Sequence, residues 1–319
     1  MSTFTALRPA PSPPKSFRPA PKRWRRERPA GPKTRDVAWG RFPAASLGMA
    51  LGLLVIAIGY AGGRAALPWG DPVYWAGEVL MVAAVAWRLL SPRLAGDREA
   101  LGIAVAFSAA TYIVKVLYQP LIFAFPDELQ HWRTAQDILA TGQLFHVNQS
   151  LPVSPLYPGL EICSSALSSL AGLSTFVSGL VVAGIAHVLL TAAVYLLFRR
   201  VSGSARLAAI GAVVYAFEPH FQSFDSEFTY QLFGLVFLAL AVLATERLTE
   251  RRRAGWSWWI CALAAIAMTV ITHHVGSYAL LLSLGLVSLA HLLRPEGKAR
   301  DWRPAVLTGA CAVMIGLWL

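Results

Sequence analysis

The chain has 319 residues, of which 56% are hydrophobic and only 14% charged, whereas a soluble domain carries about 25% charged residues. Its apolar residues come in long blocks, so lipid is the expected solvent and a soluble globular enzyme is excluded. The formal net charge of +11 would suit a nucleic-acid partner, but the Lys and Arg residues cluster between the apolar blocks, and none is expected.

Residues 1–43 form a Pro-, Ala- and Arg-rich tail centred on Lys22-Arg23-Trp24-Arg25-Arg26-Glu27-Arg28. Such a segment cannot bury enough apolar surface to fold alone, so it is expected to be disordered and cytoplasmic. It is too long for the n-region of a signal peptide, and no cleavage site follows the first apolar block. Its basic centre could touch anionic lipid head groups or simply set the topology.

Residues 44–319 read as one all-α, polytopic transmembrane bundle of about nine spans. The blocks are 44–60, 73–90, 101–118, 176–198, 205–217, 230–244, 257–271, 275–293 and 305–319. Helices are the expected form because backbone groups in hydrocarbon must be satisfied within each segment. The last block stops with the chain, so the expectation is either a fragment of a longer protein or remaining helices supplied from elsewhere. Between the third and fourth blocks lies a mixed segment, 119–175, expected to be a large outer loop with surface helices. The three cysteines, Cys163, Cys261 and Cys311, are far apart with no CxxC spacing, so neither a disulfide framework nor a zinc site is expected.

Alternate loops differ sharply in charge. The tail and the loops at 88–100, 199–206, 246–255 and 294–303 hold 25 of the 28 Lys and Arg residues. The positive-inside rule then places the N-terminus and these loops in the cytoplasm. It places Asp127-Glu128, the segment 218–227 and His273-His274 together on the extracytoplasmic face of a multi-pass plasma-membrane protein. This holds if residues 157–172 lie on or dip into the outer surface instead of crossing it.

The chain contains no GxxxxGK[ST], no GxGxxG after a strand and no HExxH, so no nucleotide-binding or zinc-protease site is expected. The chemistry is sought instead at the membrane edge, where ionisable groups are costly and usually functional. Asp127 and Glu128 are the candidate catalytic carboxylates: one as general base on an acceptor hydroxyl, the other positioning the acceptor or holding a divalent cation. The structural alternative is a helix start, with Asp127 as N-cap and Gln130 closing a capping box.

Candidate substrate-binding residues follow from the same geometry. His131 shares a helical face with the pair, and Trp132 could stack on a sugar or simply sit at the interface. Lys115, near the outer end of its span, could neutralise a lipid-linked phosphate or snorkel to the head groups. Tyr157, and Glu161 with it, would face the outer cavity. Asp225 and Glu227 belong to a loop with four ionisable groups in ten residues, and either could cap the next helix instead. His273 and His274, at a tight turn, could hold a phosphate or a metal. No cofactor is fixed by these residues; a divalent metal ion is the one candidate.

Four segments, Pro126-Asp127-Glu128, Tyr157-Pro158-Gly159-Leu160, residues 221–234 and Thr272-His273-His274, resemble the GT-C superfamily of integral membrane glycosyltransferases. The resemblance covers roughly residues 101–293. It implies transfer of a hexosyl or pentosyl group from a polyprenyl-phosphate or polyprenyl-diphosphate donor on the extracytoplasmic face, in cell-envelope glycosylation, with Asp127 or Glu128 as the catalytic carboxylate. The acceptor, whether glycan, lipid or protein, is left open; membrane lipids are the other expected partners. Two spans precede the motif-bearing one, a departure from the family pattern. The alternative is a transporter or flippase for a lipid-linked or anionic solute. That class places ionisable groups near the midplane with repeat symmetry, whereas here only Glu78 lies well inside a span and no repeat is visible. A non-catalytic assembly protein is the third reading.

Overall fold

A computed structural model of the chain describes residues 39–94, 96–250, 255–293 and 301–318. The expected tail therefore lies almost wholly outside the described residues. These residues form twelve α-helices, two 3-10 turns and no strand. The helices are α1 (Phe42–Arg64), α2 (Gly70–Leu90), α3 (Asp97–Tyr118), α4 (Pro126–Thr141), α5 (Gly159–Ala171) and α6 (Thr175–Ser202). They continue as α7 (Ala205–Ala216), α8 (Pro219–Ser223), α9 (Tyr230–Glu250), α10 (Trp256–Thr272), α11 (His274–Leu292) and α12 (Arg303–Trp318). The 3-10 turns are Ser154–Leu156 and Phe224–Ser226.

Each of the nine apolar blocks is a helix. Among the described residues six of them, α1, α2, α3, α6, α9 and α11, are long and apolar enough to cross a membrane. The other three, α7, α10 and α12, are shorter. The 12 residues of α7 extend only about 18 Å at 1.5 Å per residue, against a hydrocarbon core of about 30 Å. The protein is a polytopic helical membrane protein.

α1 and α2 form a helical hairpin closed by small residues. A Cβ added at Gly77 would lie 2.6 Å from Ile56 Cγ1, and one at Gly59 would lie 2.5 Å from the Tyr74 backbone nitrogen. Only glycine permits backbones to approach so closely. One apolar cluster joins α1–α3, α6, α7 and the first half of α9 around Phe107, Tyr195, Phe221 and Phe228. A second joins the rest of α9 to α10, α11 and α12 around Leu248, Ile266 and Leu280.

The bundle has two chemically different ends. At one, Arg88 Nε and Nη2 lie 2.5 and 2.7 Å from the Glu99 carboxylate, which also accepts the Arg41 N–H at 2.7 Å. Arg199 pairs with Asp97, and Arg200 with Glu246 at 2.7 Å. Arg206 reaches the Ser91 carbonyl at 2.6 Å. The other end carries α4, α5, α8 and the α10–α11 turn. It is tied together by Arg64 donating to the Leu117 carbonyl at 3.1 Å and Trp318 donating to the Leu156 carbonyl at 3.1 Å. The segment 157–172, expected at the surface, is mostly the 13-residue helix α5, which buries Leu160, Glu161, Ser164 and Ser168 against its neighbours.

Candidate active site

The start of α4 decides which of the two adjacent carboxylates is available. Asp127 is not the N-cap. Phe125 takes that place in an extended conformation, because Pro126, with its fixed φ, occupies the first helical position. Glu128 is therefore the third helical residue, and its Oε2 turns back to accept the Ala124 and Phe125 N–H groups at 3.3 and 3.4 Å. Its Oε1 accepts the Lys115 ammonium and the Phe228 N–H, the latter at 2.9 Å. Glu128 is fully buried. It thus pins α3, α4 and the segment leading into α9 to one another. Lys115, whose ammonium also lies 5.5 Å from the centre of the Phe123 ring, spends its charge on this carboxylate. Asp127 points elsewhere, as adjacent helical residues must. It is half-buried and makes no side-chain hydrogen bond or ion pair among the described residues.

Glu227 comes from the loop before α9 and is only 6% exposed. Burial pushes its pKa up to about 7, the charge of Glu128 adds to this, Lys115 opposes it, and Asp127 and Asp225 raise it further. At neutral pH Glu227 is therefore divided between acid and carboxylate. Asp225, also raised by burial, accepts the Gln231 side-chain amide at 3.2 Å, while its carbonyl accepts His187 Nδ1–H at 3.0 Å. Glu218 caps α8 by accepting the Phe221 N–H at 2.9 Å, and His220 stacks on Phe224 at the surface. The loop's four ionisable groups thus divide: Asp225 and Glu227 turn inward, Glu218 and His220 outward.

The third group surrounds Tyr230. His131, one turn after Asp127, lies 2.6 Å from Glu161 Oε1 through its Nδ1, and both side chains are fully buried. Ser154 Oγ sits 3.1 Å from the same Nδ1 and donates to Glu161 at 3.2 Å. The Tyr230 ring lies 4.6 Å from that of His131, 4.7 Å from His273 and 6.2 Å from His274, centroid to centroid. Tyr157 packs on His274 at 5.2 Å. His273 caps α11 by accepting the Gly276 N–H on Nδ1 at 3.0 Å. Burial holds its pKa down at about 4, and the neighbouring His274 adds to this, so it is a neutral acceptor at pH 7. His131 Nε2, Glu161 Oε2, Thr229 Oγ1, Thr272 Oγ1 and His274 Nδ1 are buried without a protein hydrogen bond. Buried polar groups normally have partners, so these segments retain hydrogen-bonding capacity for another molecule.

Asp127, Glu128, Glu227 and Lys115 therefore occupy one neighbourhood, and Tyr230, which feels the charge of Asp127, connects it to both histidines of the α10–α11 turn. Trp132 belongs elsewhere. Its indole N–H donates to Thr175 Oγ1 at 2.8 Å, and its ring packs on Phe123 and Phe176, joining α4 to α6. Tyr230 and Ser154 were not evident in the sequence. Tyr230 opens an apolar helix three residues beyond Glu227, the last acidic residue of the loop, which is the one local signal for it. Among the described residues no three His, Cys, Asp or Glu side chains are grouped to hold a metal ion, and the three cysteines are free.

Residues 158–315 match the family model described as dolichyl-phosphate-mannose-protein mannosyltransferase, a domain of the GT-C type of membrane glycosyltransferase. No curated protein and no solved structure matches the chain. Glu161, Asp225, Glu227, Tyr230 and the two histidines lie inside the matched residues; Lys115, Asp127 and Glu128 precede them.

Proposed function

We propose that this protein transfers a sugar from a polyprenyl-phosphate-linked donor to an acceptor hydroxyl on the extracytoplasmic face of the membrane, with Asp127 as the general base. One observation carries the assignment of the base. Of the adjacent carboxylates, Glu128 is saturated by Lys115 and three backbone N–H groups, while Asp127, beside Glu227, has no hydrogen-bond or ion-pair partner among the described residues. The match to a family whose description names a dolichyl-phosphate sugar supports the class of donor.

In this reaction the acceptor oxygen forms a bond to the sugar's anomeric carbon as its proton passes to an Asp127 oxygen. The bond from that carbon to the phosphate oxygen breaks, and the electron pair leaves with the lipid phosphate. Proton transfer of this kind is worth about 10²–10⁴-fold in rate. Glu227, near half-protonation at neutral pH, is suited to taking up the proton from Asp127 or to lending one to the departing phosphate. Tyr230 and Tyr157 offer ring faces to a sugar, and the unpartnered buried atoms beside them offer hydrogen bonds.

The test is transfer of labelled sugar from a polyprenyl-phosphate donor pool in membranes containing the protein, with its level measured in parallel. Transfer that is present in the parent and lost in Asp127→Asn at equal protein level supports the proposal; equal transfer by both sinks it. Reporter fusions near Gln143 and Arg252 test the orientation: the first is expected outside and the second inside, and both on one side would remove the extracytoplasmic assignment.

A further inference from the structure

Glu78, the ionisable residue set well inside a span, has no part in the chemistry described so far. It lies on α2 about 12 Å from Gly70, at 1.5 Å per residue. It is 5% exposed. Its Oε1 accepts the Tyr74 hydroxyl at 3.2 Å, and its Oε2 has no hydrogen bond among the described residues. A carboxyl group in a spanning helix is costly unless it meets a partner.

Glu78 lines a cavity of about 240 Å³ bordered by α1, α2, α3 and α8, with Phe125, the N-cap of α4, at its edge. Tyr74 and Glu78 on α2, and Thr111, Lys115 and Tyr118 on α3, recur at helical spacing, so each helix presents one face to it. Gln222 of α8 also lines the cavity, and its Nε2 is buried without a hydrogen bond among the described residues. A larger cleft of about 890 Å³ adjoins, sharing Tyr60, Tyr74 and Tyr118 and adding Trp75 and Asp71. The Tyr60 ring lies 5.1 Å from that of Tyr74 and 5.9 Å from that of Tyr118, so the three form a continuous aromatic wall. A belt of interfacial aromatics accounts for the exposed Trp75 and Tyr118. It does not account for a carboxyl oxygen and an amide nitrogen left unsatisfied in the cavity behind them.

The chemistry of this wall selects the class of ligand. An anion would meet the Glu78 carboxyl, while the Lys115 ammonium on the same wall is paired with Glu128. A cation would meet that ammonium and would leave the Gln222 N–H without an acceptor. A neutral group bearing hydroxyls serves both orphaned atoms, since a hydroxyl can donate to Glu78 Oε2 and accept from Gln222 Nε2. Tyrosine rings beside them offer apolar faces with polar tips. We infer that this cavity binds a pyranose ring of a neutral glycan, its hydroxyls on Glu78 and Gln222 and the rest of the glycan along the tyrosine-lined cleft. The inference concerns binding and does not rest on the proposed transfer reaction. Glu78 and the three tyrosines precede the residues that match the family model.

The experiment uses the full chain purified in a neutral detergent without a sugar head group, with thermal unfolding followed during titration. The probes are the methyl pyranosides of mannose, glucose, galactose and N-acetylglucosamine, with sorbitol and choline chloride at matched concentration. Sorbitol carries similar hydroxyls without the ring and reads the stabilisation that any excluded solute gives. At least one pyranoside is expected to raise Tm by a few degrees more than sorbitol does. If none exceeds sorbitol, the site is overturned; a shift with choline and none with the pyranosides would overturn the neutral ligand. Glu78→Gln keeps the shape of the side chain, removes the charged acceptor and should weaken the apparent affinity for the pyranoside about tenfold. Gln222→Ala removes the amide donor from the opposite wall and should weaken it by a similar factor. Asp137→Asn removes a carboxylate at the same end but outside both cavities, and should bind as the parent does. Parent-like binding by Glu78→Gln or by Gln222→Ala would overturn the site, as would equal weakening by all three variants. Binding is read without a sugar donor, so its loss is distinct from any failure of transfer.

Discussion

At the arginine-rich end, Asp97, Glu99, Glu246 and Asp301 each pair with an arginine. At the opposite end, Glu128 pairs with Lys115, while Asp127, Asp225 and Glu227 form no ion pair among the described residues. These two sets of four carboxylates differ in their state. Matched pairs hold helices in register and leave little driving force for further chemistry. An excess of half-buried carboxylates raises the cost of ionising each one, so the surplus is relieved by a proton, a cation or a substrate. On the proposed reading the first arrangement serves structure and the second serves transfer. That division can be broken or sharpened by changing one residue at a time.

The largest expected effect is on transfer. Asp127→Asn should lower the rate by about 10²–10⁴-fold, with little change in Tm, because Asp127 holds no partner among the described residues and is not the cap of α4. Asp97→Asn, at the other end, removes the partner of a surface arginine and should cost no more than about 1 kcal/mol, with transfer unaffected. If Asp97→Asn abolished transfer and Asp127→Asn did not, the assignment of roles to the two ends would be reversed. Transfer assays and thermal unfolding of both variants decide the matter.

Next come the two buried ion pairs, one at each end. Removing the cation from either leaves a buried carboxylate uncompensated, which typically costs about 3–5 kcal/mol. Lys115→Met and Arg88→Met should therefore lower stability by similar amounts, measured by thermal or denaturant unfolding in detergent. They should differ in activity per folded molecule. Arg88→Met is expected to keep it, since Glu99 joins α3 to Arg41 and α2 at the end of the bundle away from Asp127. Lys115→Met is expected to lose it, since Glu128 also fixes the N-terminus of α4 and the Phe228 N–H. Equal loss in both would mean that transfer tracks stability alone.

How much of this was legible in the sequence depends on the distance over which each interaction acts. The apolar blocks were visible because burial in lipid is written along the chain itself, and all nine are helices. Three fall short of the spanning length because periodicity and hydropathy do not fix where a helix stops. Alternation of basic loops gathered the acidic and histidine segments at one end, and the contacts of Tyr230, Glu128 and Glu227 agree with that grouping. The division of labour between Asp127 and Glu128 was not legible, because the Phe228 N–H that completes Glu128 lies 100 residues away. His131 likewise reads in sequence as a companion of the Asp127-Glu128 pair, whereas its partner in the fold is Glu161, 30 residues on. The cap of α4 was legible and was misread: Pro126 favours the first helical position, which moves the N-cap back to Phe125 and leaves Asp127 inside the helix.

The smallest expected effect concerns pH, and here two groups at the same end act in opposite directions. Glu227 has its folded pKa raised from 4.5 to about 7. The folded state therefore holds the extra proton between those values, so its contribution to stability is complete below pH 4.5 and is lost as pH rises through 7. His273 has its folded pKa lowered from 6.5 to about 4, so its contribution is present above pH 6.5 and is lost as pH falls toward 4. Glu227→Gln keeps the shape of the protonated acid and removes the titration. It should match the parent near pH 4.5 and exceed it at pH 8, where the parent must hold a buried carboxylate near those of Asp127 and Glu128. The full shift would correspond to more, but partial solvation of the group reduces the expected gain to about 1–2 kcal/mol. The fall in stability below pH 6, which comes from His273, should be unchanged in this variant. Thermal unfolding from pH 4.5 to pH 8 reads both limbs at once. If Glu227→Gln gave no gain at pH 8, Glu227 would already be compensated in the fold, and the contrast between a paired end and an unpaired end would rest on Asp127 alone.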